Sequence, residues 1–160
     1  MNAVDIFERG HQAVAKAVDG LPDADWETGG VCGVWSVREV VAHLAAYEHM
    51  LAEALEMLAG AAGATPHLDE YRAQWPGYND DKVKERRGMT PAEVWADYRG
   101  AHERAVAALP RITAAKLAEV GAIPWYDPQG SIDDLVARLG YGHKREHAAQ
   151  IGVYRDRLGR

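Results

Sequence analysis

Two histidines near the end of the chain have a spacing that suits metal binding. His143 and His147 are four residues apart, so on a helix they project from the same face, one turn apart. That spacing allows two imidazole nitrogens to bind one zinc ion. Both histidines also continue a stripe of apolar residues, where a histidine is often simply hydrogen-bonded within the core. The pair therefore predicts either part of a metal site or two core histidines.

Helical periodicity places three further histidines on inward-facing stripes of apolar residues, namely His11, His43 and His102. His49 and His67 are instead expected to be exposed. A third imidazole from another helix would complete a metal site, because the interior of a helical bundle commonly holds such sites. Neutral imidazoles favour Zn, Ni, Cu or Fe over Mg or Ca. Spacing alone does not choose the third ligand.

Four amphipathic helices are predicted to carry these histidines, over residues 3–19, 36–59, 90–109 and 131–158. Ser36 with Glu39, and Thr90 with Glu93, form capping boxes at the starts of the second and third helices. Ser131 is expected to be the N-cap residue of the last helix, as Ser36 and Thr90 are of theirs. These signals predict where each helix begins.

The connection over residues 60–89 is longer than helix packing requires. It is predicted to contain short helices around Leu68–Gln74 and Asn79–Arg86, and a short turn is predicted near Ala114–Ala118. No segment shows the alternation of apolar and polar residues that a strand requires. The chain is therefore predicted to be all-α, a single-domain four-helix bundle over residues 1–160 with long crossover connections and short extra helices.

Charge and composition exclude some classes of function. The chain carries 18 Lys and Arg against 24 Asp and Glu, for a net charge of −6, and no basic face emerges. Nucleic acid is therefore not an expected partner. No stretch approaches the roughly 18 apolar residues of a membrane span, so no membrane partner is expected. The single cysteine, Cys32, and an acidic start unlike a signal peptide make the cytoplasm the expected location.

The segment Val31–Leu44 resembles the opening motif of the DinB-like superfamily, in particular the branch that includes mycothiol-dependent maleylpyruvate isomerases. The likeness rests on a Cys three residues before Trp, then Trp-Ser-Val, an acidic residue and His-Leu, although the proline common in the isomerase motif is missing. Members of the superfamily have one metal-binding histidine here and two more, often His-x3-His, on the fourth helix. The resemblance therefore implies that His43, His143 and His147 bind a divalent transition metal, with Zn or Ni expected.

The resemblance also implies what such a site would do. Three histidines leave a tetrahedral metal one open position. A water bound there has its pKa lowered to about 7, and a low-molecular-weight thiol can bind at the same position as thiolate. The implied function is that of a metal-dependent hydrolase or thiol transferase acting on a small electrophilic or apolar molecule. Helical-bundle relatives often dimerise, so a homodimer is expected.

Other residues are candidates for roles around the metal. Glu48 and Glu146 could move protons near its open position, and a solvated helix face is the ordinary alternative for each carboxylate. The candidates for binding substrate are Trp35, Tyr47, Trp75, Tyr98, His102, Trp125 and Tyr141. Some of these aromatic residues are expected to pack in the core or in loops instead. Cys32 is expected to be a small packing residue rather than a nucleophile.

Two alternatives to an enzyme stay open. Pro124-Trp125-Tyr126 and the region from Trp75 to Asn79 resemble the colibactin self-resistance (ClbS/DfsB-like) group. That resemblance implies a non-catalytic or metal-free protein that sequesters a small molecule. A purely structural or dimerising bundle would instead require the inward histidines to be hydrogen-bonded to neighbouring side chains.

Overall fold

The computed structural model describes residues 2–160, so Met1 of the predicted domain lies outside the described residues. In chain order the helices are α1 (Ala3–Val18), α2 (Asp23–Trp26), α3 (Val37–Leu58), α4 (Pro66–Ala73), α5 (Tyr78–Glu85), α6 (Pro91–Ala108), α7 (Ala114–Leu117), α8 (Ile132–Leu135) and α9 (Lys144–Leu158). A 3₁₀ turn, Leu109–Arg111, follows α6, and a π-helical segment, Val136–His143, joins α8 to α9 without a break. We call α8, the π segment and α9 together the last helix.

The all-α prediction is confirmed. Residues 2–160 contain helices and turns but no strand, and their one isolated β-bridge joins Cys32 to Trp35 in a tight turn. Four long helices form the bundle: α1, α3, α6 and the last helix. α3 packs along α6, and α1 packs against the π segment and α9. No helix of the described chain is both long enough and apolar enough to cross a bilayer.

The helices begin at residues whose side chains bind free backbone N–H groups. The Glu39 N–H donates to Ser36 Oγ at 3.3 Å, and the Ser36 N–H donates to Glu39 Oε2 at 2.9 Å. Thr90 and Glu93 form the same box before α6. At α8 the reciprocal partner of Ser131 is an aspartate. These local bonds fix the starts of three of the four bundle helices.

Some boundaries differ from the sequence prediction. No helix is predicted between the helices over residues 3–19 and 36–59, but this segment contains one short helix, α2. That helix buries the Trp26 side chain, which is 6% exposed, against the end of the bundle. A four-residue helix is too short to show a periodic pattern, so its formation depends on this tertiary contact. The short helices of the 60–89 connection lie within two residues of their predicted limits.

The core consists of two apolar clusters, one toward each end of the bundle, with a polar layer between them. On α1, Phe7 belongs to the first cluster and Val14 to the second, and His11 lies between them in sequence. On α6, Tyr98 belongs to the second cluster, Ala105 to the first, and His102 lies between them. The polar layer comprises His11, His43, Glu48, His102, His143, Lys144 and His147. The bundle therefore places most of its inward histidines at one level.

The π segment changes which side chains face the core. A continuous α-helix was predicted, with Leu139 and His143 on its buried face. In the structure Gly140 and Lys144 are buried, and His143 is only partly buried. A π turn has one more residue between its hydrogen-bonded groups than an α turn, so the inward face shifts along the sequence. The side chain of Lys144 is therefore only 1% exposed, although a lysine on a helix ordinarily lies at the surface.

Candidate metal centre

Three histidines converge at one side of the polar layer. The Nε2 atom of His143 lies 2.9 Å from Nε2 of His43 and 3.1 Å from Nε2 of His147. Each of the three rings offers one nitrogen, and these atoms all lie within 4.8 Å of one another. In residues 2–160 this is the one group of three or more His, Cys, Asp or Glu side chains close enough to share a metal ion.

Helix geometry brings these rings together. His43 comes from the middle of α3, where the side chains on both sides of it in sequence are fully buried. His143 is the last residue of the π segment, and His147 follows one turn later on α9. Two ligands one turn apart on one helix, facing a third on its neighbour, form a triangle of nitrogens that leaves one side open.

The donor set fits a transition metal. In a tetrahedral zinc site with Zn–N distances of about 2.0–2.1 Å, neighbouring nitrogens lie about 3.3 Å apart. The His43–His143 and His143–His147 separations of 2.9 and 3.1 Å lie within a few tenths of an ångström of that spacing. The Nδ1 atom of His147 lies 2.8 Å from Gln150 Oε1. An Nδ1–H that donates to this amide oxygen leaves the Nε2 lone pair directed at the other two rings.

The environment keeps these imidazoles neutral, as metal ligands must be. Burial, together with the neighbouring His143 and His147, lowers the pKa of His43 from 6.5 to about 2. Burial and His147 lower the pKa of His143 to about 4. Burial also lowers the pKa of His147, although its bond to Gln150 works against that shift. All three nitrogen lone pairs are therefore available at neutral pH.

An open cavity of about 650 Å³ is lined by two side chains, Trp35 and Tyr47, whose rings pack against histidines of the triad. Its lining residues are Trp35, Tyr47, Gln74, Trp75, Pro76, Gly77, Tyr78, Asn79 and Asp80. The ring of Trp35 lies 5.2 Å from that of His43. The ring of Tyr47 lies 4.7 Å from His43 and 4.6 Å from His143. These two residues join the floor of the cavity to the histidine triad.

A comparison with protein families matches the DinB superfamily over residues 6–151, which include all three histidines. The chain belongs to the DinB superfamily. No curated protein matches the chain, and no solved structure does. For this DinB-superfamily chain, the predicted family and the all-helical fold are therefore both confirmed, and a metal-binding role is compatible with its three-histidine cluster.

Three of the seven predicted substrate-binding residues line the cavity of this DinB-superfamily protein: Trp35, Tyr47 and Trp75. Trp125 instead lies behind the cavity, where its ring packs edge-to-face against Tyr71 at 6.4 Å. Tyr141 lies outside the cavity, and its hydroxyl accepts a hydrogen bond from Arg145 at 2.6 Å. The cavity thus occupies only the side of the bundle reached by the 60–89 connection.

Tyr98 and His102 lie inside the bundle rather than at the cavity. Tyr98 is fully buried, with its hydroxyl 3.3 Å from Nδ1 of His11. The rings of His11 and His102 stack at 4.2 Å. Burial, His102 and Lys144 lower the pKa of His11 from 6.5 to about 4. These side chains bond to one another, which explains why inward-facing residues of suitable chemistry do not reach the cavity.

The structure places Glu48 in the core, which excludes the solvated helix face that was the ordinary alternative for this carboxylate. Glu48 is 1% exposed, with Oε1 2.7 Å from Lys144 Nζ and Oε2 3.2 Å from His102 Nδ1. Burial alone would oppose ionisation, but Lys144 and His102 outweigh it and hold the pKa of the Glu48 carboxyl below its usual range. The role of Glu48 as a proton carrier stays a prediction.

Glu146 and Cys32 do not line the cavity that Trp35 and Tyr47 border. Glu146 is exposed and lines a different, shallow depression together with Val31 and Val153. Its proton-transfer role also stays a prediction. Cys32 is partly buried against the second apolar cluster and exchanges backbone hydrogen bonds with Trp35. These contacts agree with the packing role expected for it.

The sequence reasoning missed several cavity residues, chiefly Tyr78 and Asp80. The turn before them depends on Gly77, whose φ of 89° lies in the left-handed region. The sequence Pro76-Gly77 is a recognisable turn signal. That signal could have suggested that the residues after it return toward the bundle, but it could not have told which helix they would meet.

Proposed function

We propose that this protein is a metal-dependent enzyme that acts on a small electrophilic or apolar molecule, by hydrolysis or by thiol transfer. The observation that carries the proposal is the convergence of the Nε2 atoms of His43, His143 and His147 beside an open aromatic cavity. A divalent transition metal, with Zn or Ni as the first candidates, would supply there a Lewis acid that makes a water or a thiol acidic near neutral pH.

The chain's own residues bind and orient around that centre. Gln150 holds the ring of His147, and Trp35 and Tyr47 pack beside His43 and restrict access to one side of the triad. The Tyr47 hydroxyl donates to Asn79 Oδ1 at 3.3 Å, which fixes its ring at the cavity floor. A substrate that enters the cavity would therefore meet aromatic faces first and the triad last.

Metal binding is the first test of this proposal. Protein purified without chelator should contain one equivalent of transition metal per chain, and metal-free protein should take up one equivalent of Zn²⁺ or Ni²⁺. His43→Ala should abolish this uptake, whereas His67→Ala should retain it, because His67 pairs with Glu53 outside the triad. Absence of stoichiometric metal, together with no uptake by the metal-free protein, would overturn the proposal.

Catalysis is the second test. Metal-loaded protein is assayed against activated esters and amides, and against small electrophiles in the presence of low-molecular-weight thiols. We expect turnover that His147→Ala removes and that added chelator suppresses. Turnover that survives both changes would contradict a role for the triad in the reaction.

A second candidate function is sequestration of a small molecule without turnover. It is favoured by the placement of the two candidate carboxylates. Glu48 is paired with Lys144 in the core, and Glu146 lines a depression other than the aromatic cavity. This candidate predicts that His43→Ala and His147→Ala leave ligand binding by the cavity largely intact. Under the enzyme proposal the same variants lose turnover.

A further inference from the structure

We propose that the cavity beside the histidine triad selects small organic cations, molecules with an apolar or aromatic body and a protonated or quaternary ammonium group. The inference rests on the proposed function, because it assigns a substrate class to the same site. It is carried by the chemistry of the cavity wall, which combines four aromatic side chains with one carboxylate and contains no Lys, Arg or His.

The aromatic side chains form walls at steep angles to one another. The rings of Trp75 and Tyr78 lie 5.1 Å apart with their planes at 79°, and those of Tyr47 and Tyr78 lie 6.5 Å apart at 74°. Trp35 completes the set on the side of His43. Rings that meet edge-to-face present their electron-rich faces in different directions, which is how aromatic cages surround an ammonium group.

The orientation of Trp75 is fixed by the chain itself. Its Nε1–H donates to Asp81 Oδ2 at 2.9 Å. Because the indole N–H is occupied in this way, the ring offers the cavity apolar surface and π density rather than a hydrogen-bond donor. The side chain is nevertheless 36% exposed, so it is accessible to a ligand that enters from solvent.

The charges around the cavity favour a cation. Asp80 is exposed, lines the cavity and has no ion-pair partner among residues 2–160. The Lys82 ammonium, within 6.0 Å of the ring centroids of Trp75 and Tyr78, is buried and lies 2.6 Å from both Glu70 Oε2 and Glu85 Oε1. Glu85 also lies 4.0 Å from Arg86, which pairs with Asp97, so the two cations and three carboxylates of this group carry a net charge of −1. An anionic ligand would therefore meet two unbalanced negative charges at the rim and no cationic side chain in the wall.

Lys82 also shows that these rings accept a positive charge. Its Nζ atom lies 5.9 Å from the ring centroid of Trp75 and 6.0 Å from that of Tyr78. Both distances are within the range of a cation–π interaction. A ligand cation bound at the rim near Asp80 would leave the other end of the molecule on the side of Tyr47 and the histidines.

Binding of two matched probes tests the inference. Benzyltrimethylammonium and benzylsulfonate share one aromatic ring and differ in the sign of the charge. Their affinities are measured by calorimetry at low ionic strength, with metal-free protein, so that the result does not depend on turnover or on the metal. We expect the cation to bind more tightly than the anion, and Asp80→Asn to weaken cation binding by about two- to fivefold.

Matched variants separate a specific site from a general charge effect. Glu103→Gln removes an exposed carboxylate from α6 and should leave cation binding unchanged. Trp75→Leu should weaken it by about two- to fivefold, and Trp75→Phe should restore most of the loss. Circular dichroism verifies that each variant is folded. Anion binding as tight as cation binding, or equal effects of Asp80→Asn and Glu103→Gln, would overturn the inference.

The outcome of this experiment can be distinguished from the outcome of the metal-binding test of the proposed function. Cation binding without any metal uptake would contradict the metal-dependent enzyme and support the present inference. Stoichiometric metal uptake combined with a preference for benzylsulfonate would overturn the present inference and leave the metal centre supported.

Discussion

Glu48 and Lys144 form an ion pair at 2.7 Å, and each of the two side chains is only 1% exposed. The pair joins the two helices that carry the histidine triad. Glu48 lies five residues after His43 on α3, and Lys144 directly follows His143. The Lys144 ammonium also lies 3.8 Å from the ring centroid of Phe7 on α1. A buried pair of this kind fixes how two helices sit against one another, because any other alignment leaves both charges without partners.

Removing one member of this pair should destabilise the protein strongly. Lys144→Met leaves the Glu48 carboxylate buried without its counter-ion, so the free energy of unfolding should fall by about 3–5 kcal/mol. Chemical denaturation of the metal-free protein measures the change. Lys84→Met is the matched control, since the Lys84–Asp81 pair is solvent-exposed and should contribute less than about 1 kcal/mol. Similar losses in both variants would contradict the structural role given to Lys144.

The partner of His147 should influence metal affinity. Gln150→Leu removes the amide oxygen that lies 2.8 Å from His147 Nδ1, so the ring is no longer held in the orientation that directs Nε2 at the triad. We expect metal binding to weaken by about 10- to 100-fold. Competition with a chromogenic chelator measures it. Gln12→Leu, on the exposed face of α1, should have no effect, and an equal loss there would argue against the specific role of Gln150.

Backbone contact between α1 and the π segment should make Gly10 intolerant of any side chain. A Cβ atom at Gly10 would lie 2.1 Å from the carbonyl oxygen of Gly140, a separation that forces the two helices apart. Gly10→Ala should therefore destabilise the protein by about 1–3 kcal/mol, although alanine favours helix. Gly100→Ala meets no atom within 4 Å and should stabilise by up to about 1 kcal/mol. Urea unfolding that ranks the two variants equally would contradict this contact.

The stability of the metal-free protein should fall as the pH is lowered from 7 to 5. Histidines in the unfolded chain titrate near 6.5. Burial and neighbouring histidines lower the pKa of His43 to about 2, and the same causes together with Lys144 lower the pKa values of His143 and His11 to about 4. Below pH 6.5 the unfolded chain therefore binds more protons than the folded chain. The loss per histidine steepens through this window toward a limit of about 1.4 kcal/mol per pH unit, which is approached once the unfolded histidine is fully protonated.

Unfolding curves across this pH range measure the slope. His143→Gln removes one of the histidines with a lowered pKa, so its stability should depend less steeply on pH than that of the parent protein. Stability that stays constant between pH 7 and pH 5 would contradict the burial of neutral histidines in the polar layer.

Local signals were sufficient to predict the bundle and two of the three histidines of the triad. The capping boxes at Ser36 and Thr90 lie in the chain where the helices begin, and the i, i+4 spacing of His143 and His147 places both rings on one face. The choice of His43 as the third member came from the family resemblance, because periodicity left three inward histidines equivalent.

The remaining features depend on contacts between distant segments. Lys144 is buried because a π segment precedes it, and no local sequence pattern predicts that segment. Glu48 is buried because Lys144 lies opposite it and supplies its counter-ion. The cavity wall includes Tyr78 and Asp80 because the turn at Gly77 brings α5 back against α3. Sequence periodicity describes one helix at a time, so it cannot identify the neighbours that decide these positions.

The most direct test of the metal centre is X-ray absorption at the metal edge, measured on protein loaded with one equivalent of Zn²⁺. We expect three imidazole nitrogens at about 2.0–2.1 Å and one further light ligand. The imidazole contribution should fall in His143→Ala. A spectrum without imidazole scattering, or one that His143→Ala leaves unchanged, would contradict the assignment of His43, His143 and His147 as the metal ligands.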